Sequence, residues 1–227
     1  ELELTPPQLL SGNLNMTVGM VGDQLIAAVS EGGYWDTLST PNVWHPGNLE
    51  MFDLSDPADI KALPVIETFD GTVNDLAIQG NYLFVAESSN PMQAPDGTWN
   101  NNGGGGGLRI YDFSPALDPL TPTEPEFKAV FDGGEIQAVE VLGDTVFYTH
   151  RWDGLKAVTI NTAFDPQTWD QQWIYWFPGS TMALKVASLD GKDLAWLVNE
   201  NWMRILDVTN PTDGNVTEID SFRLPYF

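Results

Sequence analysis

The chain has 227 residues, and its 32 Asp and Glu against 9 Lys and Arg give a formal net charge of −23. Nucleic-acid binding depends on Lys and Arg that displace phosphate counterions, so this charge argues against a nucleic-acid partner. There is no Cys and there are only two His, which excludes disulfides, thiolate metal sites and a cysteine nucleophile. Any bound metal is expected to be a hard cation such as calcium, held by oxygen ligands.

The composition is typical of a folded globular protein, with 42% hydrophobic and 11% aromatic residues. No apolar run approaches the roughly 20 residues needed to cross a bilayer, so membrane insertion is not expected. Residues 1–7 contain neither a start Met nor a signal-peptide pattern. Because the acidic residues are spread along the chain, we interpret them mainly as the solvated coat of an extracellular or cell-surface protein; cation sites are the alternative.

Four segments of the sequence repeat one pattern, a short apolar strand followed in most copies by a turn rich in Asp, Ser and Pro. They are residues 47–57, 107–115, 154–161 and 203–211. Aligned on Leu49, Leu108, Leu155 and Met203, they are 59, 47 and 48 residues apart. The repeat is therefore close to 47 residues long, with an insertion in one unit.

Two strands joined by a tight turn precede each of these segments, and one strand follows it. We call the four strands of a unit a to d. The a strands are predicted at 16–21, 73–78, 136–142 and 182–189, the b strands at 25–29, 82–86, 146–149 and 194–198, and the d strands at 63–69, 127–131, 173–177 and 217–222.

Four antiparallel strands that recur every 40 to 50 residues predict an all-β fold, a β-propeller with about four blades. The blades are predicted at 12–69, 70–131, 132–177 and 178–222. A β-sandwich is the alternative. Residues 1–10 are interpreted as the outer strand of a preceding or closing blade, and residues 223–227 as the start of another. The hypothesis is a larger ring, completed by further sequence or by another chain.

The c-strand segments 107–116 and 47–57, together with residues 74–86, resemble LVIVD-repeat propellers. The third unit departs from the pattern, because Thr159 stands where the other units have Asp. The resemblance implies a propeller fold and a secreted or surface-attached bacterial or archaeal protein. It brings no shared catalytic residues with it.

The loops between strands b and c are the first candidates for a functional site, because they emerge on one face together with the d–a connections. Each of these loops contains a Trp, and both His lie among them. Trp and Tyr are enriched at interfaces. The predicted binding residues are Tyr34, Trp35, Trp44, His45, Trp99, His150, Arg151, Trp152 and Trp202. A protein partner or assembly neighbour is expected, with carbohydrate as a second possibility; Trp152 and Trp202 could instead pack against a neighbouring blade.

Carboxylates of the same loops are candidates for calcium binding or for hydrolytic chemistry. They are Glu31, Asp36, Asp96, Asp153 and Glu200. No catalytic pair is nominated, and no cofactor other than calcium is expected. The Asp residues that end the c strands, such as Asp53, Asp112 and Asp207, are interpreted as turn-stabilising residues. Two sequons, at Asn15 and Asn215, permit N-glycosylation.

The sequence therefore predicts a noncatalytic extracellular binding or assembly module that uses its aromatic b–c loops as the contact face. The alternative is a secreted hydrolase that acts on a polysaccharide or a phosphate ester, with carboxylates and calcium on the same face.

Overall fold

The described part of the chain is built almost entirely of antiparallel strands. A computed structural model describes residues 14–31, 34–36, 43–45, 47–69, 71–88, 92–93, 99–100, 106–118, 120–131, 133–160, 171–177, 180–211 and 216–225. The strands in chain order are β1 (Leu14–Val21), β2 (Gln24–Glu31), β3 (Tyr34–Asp36), β4 (Val43–His45), β5 (Gly47–Asp53), β6 (Lys61–Phe69), β7 (Thr72–Gln79), β8 (Tyr82–Ser88), β9 (Met92–Gln93), β10 (Trp99–Asn100), β11 (Gly107–Asp112), β12 (Glu126–Phe131), β13 (Ile136–Leu142), β14 (Thr145–His150), β15 (Gly154–Thr159), β16 (Gln171–Tyr175), β17 (Thr181–Leu189), β18 (Lys192–Asn199), β19 (Trp202–Asp207) and β20 (Thr217–Arg223).

Sixteen of these strands form four sheets of four strands each, and every pairing is antiparallel. The sheets are β1-β2-β5-β6, β7-β8-β11-β12, β13-β14-β15-β16 and β17-β18-β19-β20. Each sheet is one predicted unit, with strands a to d in sequence order. The predicted all-β fold with four four-stranded blades is therefore confirmed, and we number the blades 1 to 4.

The blades pack face to face, with their a strands innermost. Strand β7 packs between β1 and β13, and β13 in turn packs between β7 and β17. Three apolar clusters fill the spaces between successive blades. Alternate residues of a strand point to opposite faces of its sheet, so one set packs on the preceding blade and the other on the following blade.

The series of blades is open at both ends in the described part of the chain. Strand β17 packs on β13 but forms no comparable interface with β1. Blade 1 consequently has one sheet face with no preceding blade on it, and blade 4 has one with no following blade. The hypothesis of a larger ring stays a prediction.

The c strands end in a turn that recurs in three blades. Oδ1 of Asp53 accepts a hydrogen bond from the backbone N–H of Ser55 at 2.9 Å. Asp112 accepts one from Ser114 at 2.9 Å, and Asp207 accepts one from Thr209 at 3.2 Å. The interpretation of these Asp residues as turn-stabilising residues is confirmed.

The long b–c loops of blades 1 and 2 contain structure that the repeat pattern did not predict. Strands β3 and β4 pair in the first loop, and β9 and β10 pair in the second. Blade 2 also has a short 3-10 helix, Ser114–Leu117, after its c strand. No helix in the described residues has the length and hydropathy needed to cross a membrane.

Candidate functional site

Two exposed Trp side chains lie at the b–c loops of blades 3 and 4, each with a guanidinium over its ring. Trp152 is 61% exposed and Trp202 is 38% exposed. The guanidinium carbon of Arg151 lies 5.0 Å from the Trp152 ring centroid, and that of Arg204 lies 5.7 Å from the Trp202 ring. Both distances are within the range of a cation–π interaction. Adjacent blades therefore present similar Trp–Arg pairs on one face.

Carboxylates hold both Arg side chains in place. Arg151 donates a hydrogen bond to Glu135 at 2.5 Å. Arg204 donates one to Glu218 at 2.5 Å, and the Tyr175 hydroxyl donates a second one to the same Glu218 oxygen at 2.5 Å. The Tyr175 hydrogen bond is the foremost cause of the lowered pKa of Glu218. Burial, followed by the bond to Glu218, raises the pKa of Tyr175.

A buried ammonium group lies behind the blade 3 loop. Lys156 is fully buried, and its Nζ is 3.0 Å from Oδ2 of Asp153. The Nδ1 atom of His150 is 3.3 Å from the same oxygen and accepts a hydrogen bond from the Trp152 N–H at 3.3 Å. Asp153 is therefore the counter-ion of Lys156, and the loop that carries Trp152 is tied to the core of the blade.

Trp176 is a third exposed Trp at this edge, and it was not among the binding residues predicted from the b–c loops. It lies in the connection from blade 3 to blade 4, next to Gly154. Gly154 has a φ of +87°, and a Cβ there would lie 2.3 Å from the Tyr175 carbonyl oxygen and 3.1 Å from the Trp176 Cα. Gly154 thus permits the b–c turn and the d–a connection to touch. The b–c loops and the d–a connections were expected on the same face, and this expectation could have pointed to Trp176.

The structure locates two of the five candidate cation ligands in full. Asp153 is paired with Lys156, and Glu200 is exposed and accepts a hydrogen bond from the Ser180 N–H at 3.4 Å. Glu31 and Asp36 lie on strands, but their side chains are outside the described part, and Asp96 is outside the described residues altogether. Within the described ranges, no group of three or more acidic or His side chains could hold a metal ion. The calcium site stays a prediction.

The candidates in the inserted loops are located by their backbone alone. Trp35 is opposite Trp44 in the register of β3 and β4, and Tyr34 is opposite His45. Trp99 is the first residue of β10. The side chains of these five residues lie outside the described part.

Of the two sequon Asn residues and the predicted N-terminal strand, the structure describes only Asn15 and the strand that carries it. Asn15 lies on β1, and its amide nitrogen donates a hydrogen bond to the Val73 carbonyl at 3.1 Å, which links blades 1 and 2. That nitrogen is the atom that a glycan would occupy. Asn215 and residues 1–10 lie outside the described residues.

The inner strands line an axial cavity of about 330 Å³. Asp75, Glu140 and Lys185 are its charged residues. Lys185 donates a hydrogen bond to Glu140 at 2.6 Å, so two of the three charges compensate each other. The third, Asp75, is bound to backbone N–H groups of blades 2 and 3. The cavity therefore lies at the junction between blades, and each of its three charged groups has a hydrogen-bond partner.

Four blades packed face to face, with their a strands innermost, define a repeat protein of the β-propeller type. The family model described as the LVIVD repeat matches residues 70–92, which comprise the a and b strands of blade 2 and the start of its insertion. The resemblance inferred from the sequence is thus confirmed for that segment. No curated protein matches the sequence.

Solved structures match the chain in fold. One is described as the crystal structure of the computationally designed Ika8 protein. The TM-score is 0.50 at 11% sequence identity, over 92% of this chain and 48% of that chain. This chain therefore spans about half the length of that structure.

Proposed function

We propose that this chain is a noncatalytic binding and assembly module of an extracellular or cell-surface protein, and that its contact face is the aromatic edge of blades 3 and 4. The observation that carries the proposal is the pair of exposed Trp residues, Trp152 and Trp202, each stacked with an Arg. Trp176 extends the same edge.

The chemistry of this edge favours a protein partner. Trp and Arg are the residues that most often dominate binding energy in protein interfaces. Here Glu135 and Glu218 hold the two Arg side chains over the rings, so little side-chain freedom is left to lose on binding. Because each guanidinium already has a carboxylate partner, the edge offers flat apolar surface and not an unpaired cation.

The carboxylates of this edge favour binding over hydrolysis. A general acid needs a raised pKa to hold its proton near neutral pH. The pKa of Glu218 is lowered, and Asp153 and Glu135 are paired with Lys156 and Arg151. The hydrolase alternative is left with Glu200 of blade 4 and with Glu31, Asp36 and Asp96 of the inserted loops.

The proposed location outside the cell is supported by the charge of −23 and by the resemblance to LVIVD repeats. A densely charged surface keeps a protein dispersed in salty water.

The test is the binding of the fluorescently labelled chain to cell envelopes of the source organism. We expect the double variant Trp152→Ala/Trp202→Ala to bind at least about 30-fold more weakly, since truncation of a hot-spot residue costs about 2 kcal/mol or more. The matched control is Leu120→Ala, which removes a highly exposed apolar side chain elsewhere and should bind like the wild type. Protease treatment of the envelopes should abolish binding. Unchanged binding by the double variant would refute the proposal, and loss of binding after periodate oxidation alone would indicate carbohydrate.

A further inference from the structure

The two ends of the series of blades carry apolar sheet faces with nothing packed on them in the described part. The first-blade face is the side of blade 1 that points away from blade 2, and the last-blade face is the side of blade 4 that points away from blade 3. Cross-strand register and alternation assign Met16, Val18, Met20, Val29 and Phe52 to the first-blade face. They assign Leu189, Trp196, Val198, Met203 and Phe222 to the last-blade face.

Two residues of these faces, Met16 and Trp196, occupy positions that are buried in every internal interface between blades. The four blades align at the b-strand residues that pair with the ends of the c strands, namely Ile26, Tyr82, Thr145 and Leu194. In this alignment Met16 of blade 1 corresponds to Leu76, Val139 and Leu184. Those three are 4%, 1% and 7% exposed against the preceding blade, whereas Met16 is 70% exposed.

The last-blade face shows the same contrast. Trp196 corresponds to Ala28, Phe84 and Phe147, which are all fully buried against the following blade. Trp196 is only half-buried, and Phe222 on the same face is about half exposed. In the part of the chain that the structure describes, both faces therefore lack one specific neighbour, an antiparallel blade packed in the same orientation as the blades within the chain.

Charged residues lie among the apolar ones on both faces. On the described part of the first-blade face Glu50 is opposite Val29 in the register. On the last-blade face Lys185 is opposite Trp196 and donates a hydrogen bond to Glu140 of blade 3, and Lys192 donates one to Asp207 at 2.7 Å. Asp220 is opposite Ile205. The two ammonium groups of the last-blade face therefore already have carboxylate partners.

We propose that the last-blade face of one copy of this chain packs on the first-blade face of a second copy, and that the reciprocal contact closes a twofold ring of eight blades. The proposed contact continues an established interface, because the same positions join blades 1 to 2, 2 to 3 and 3 to 4 within the chain. Two copies would supply the length of a complete ring, because this chain covers 48% of the solved chain that it matches in fold. A head-to-tail contact that did not close would instead produce open filaments.

This inference uses residues other than the aromatic edge, so the two proposals fail separately. Sedimentation and light scattering of this 227-residue chain at about 10 µM, above a micromolar dissociation constant, should give 50.0 kDa, twice the chain mass of 25.0 kDa. Both copies carry −23, so higher salt should strengthen the association by screening their repulsion. Trp152→Ala/Trp202→Ala should leave the mass unchanged.

Met16→Glu and Phe222→Glu each place a charge in one proposed contact, and each should weaken association at least about 100-fold. Met16 and Phe222 are exposed in the single chain, so both variants should melt at the same temperature as the single wild-type chain. Val18→Glu is a further variant of the first-blade face. The control Leu120→Glu should remain a dimer.

The decisive experiment mixes the two variants. Met16→Glu retains an intact last-blade face and Phe222→Glu retains an intact first-blade face, so the mixture should form a heterodimer through one contact. A 25.0 kDa wild-type mass at all salt concentrations would overturn the proposal. So would filaments, a dimer insensitive to both substitutions, or a mixture that stays monomeric.

Discussion

Asp75 of blade 2 accepts a hydrogen bond from the backbone N–H of Val139 on blade 3, with 3.0 Å between Oδ2 and the nitrogen. Its other oxygen accepts one from the Leu76 N–H at 2.9 Å. Burial raises the pKa of Asp75, and the two hydrogen bonds oppose that rise. The neighbouring Asn74 donates to the Ile136 carbonyl of blade 3 at 2.6 Å. Adjacent inner strands belong to different sheets, so side chains supply the polar links that a ladder would otherwise make.

Replacement of Asp75 should weaken the contact between blades 2 and 3. We expect Asp75→Ala to lower the free energy of unfolding by about 1–3 kcal/mol, because two backbone N–H groups in a partly buried seam lose their acceptor. Urea denaturation measures the change. Asp23→Ala, in the exposed a–b turn of blade 1, is the control and should stay within about 0.5 kcal/mol of the wild type. Equal stability of both variants would contradict the proposed role of Asp75.

Gly154 should be irreplaceable for two separable reasons, its positive φ and the backbone that passes over it. Gly154→Ala should destabilise the chain by more than the roughly 1–2 kcal/mol that a left-handed conformation costs a side chain, since the added Cβ would lie 2.3 Å from the Tyr175 carbonyl. Gly143 has a φ of +58° with nothing within 4 Å of its Cβ position. Gly143→Ala therefore measures the conformational cost alone. Thermal unfolding should rank Gly154→Ala well below Gly143→Ala, and the reverse order would argue against the close approach.

The buried carboxylate of Glu87 should depend strongly on its cation. Glu87 is fully buried, accepts a hydrogen bond from the Gly71 N–H at 2.7 Å and is paired with Arg109. Arg109→Ala should cost about 3 kcal/mol, at the lower end of the range for an uncompensated buried charge, since Arg109 is partly exposed.

The control for Arg109→Ala is Arg151→Ala, which breaks a more exposed pair with Glu135 and should cost no more than about 1 kcal/mol. Comparable losses measured by urea denaturation would mean that burial does not set the strength of the Glu87 pair.

Asp207 should titrate well below an ordinary carboxyl. Hydrogen bonds from Lys192 and then from Thr209 lower its pKa from 3.8 to about 2. A carboxyl with a lowered folded-state pKa contributes stability above its unfolded value and loses that contribution as it protonates. The stability difference between the wild type and Lys192→Met should therefore be constant above about pH 4 and shrink as the pH falls toward 2. NMR titration of the Asp207 carboxyl should show its pKa rising in Lys192→Met but not in Lys61→Met.

The sequence by itself determined the strands, their grouping in fours and the turns that end three of the c strands. These features are local: alternation positions a strand, Gly beside a polar residue positions an a–b turn, and Asp53 bonds a backbone group only two residues away. The inserted hairpins were not predicted, because their strands are only two or three residues long.

Only the tertiary structure decided which of these residues face solvent and which meet across blades. Met16 and Leu76 occupy the same position of the repeat, yet one is exposed and the other buried, because burial depends on whether a neighbouring blade is present. The sequence alone made Asp153 a possible cation ligand. In the folded chain Lys156 is buried, and Asp153 is its partner. Trp152 and Trp176 are far apart in the chain and share an edge because Gly154 lets two loops touch. Such contacts between loops depend on how successive blades pack on one another, and that packing exists only in the folded chain.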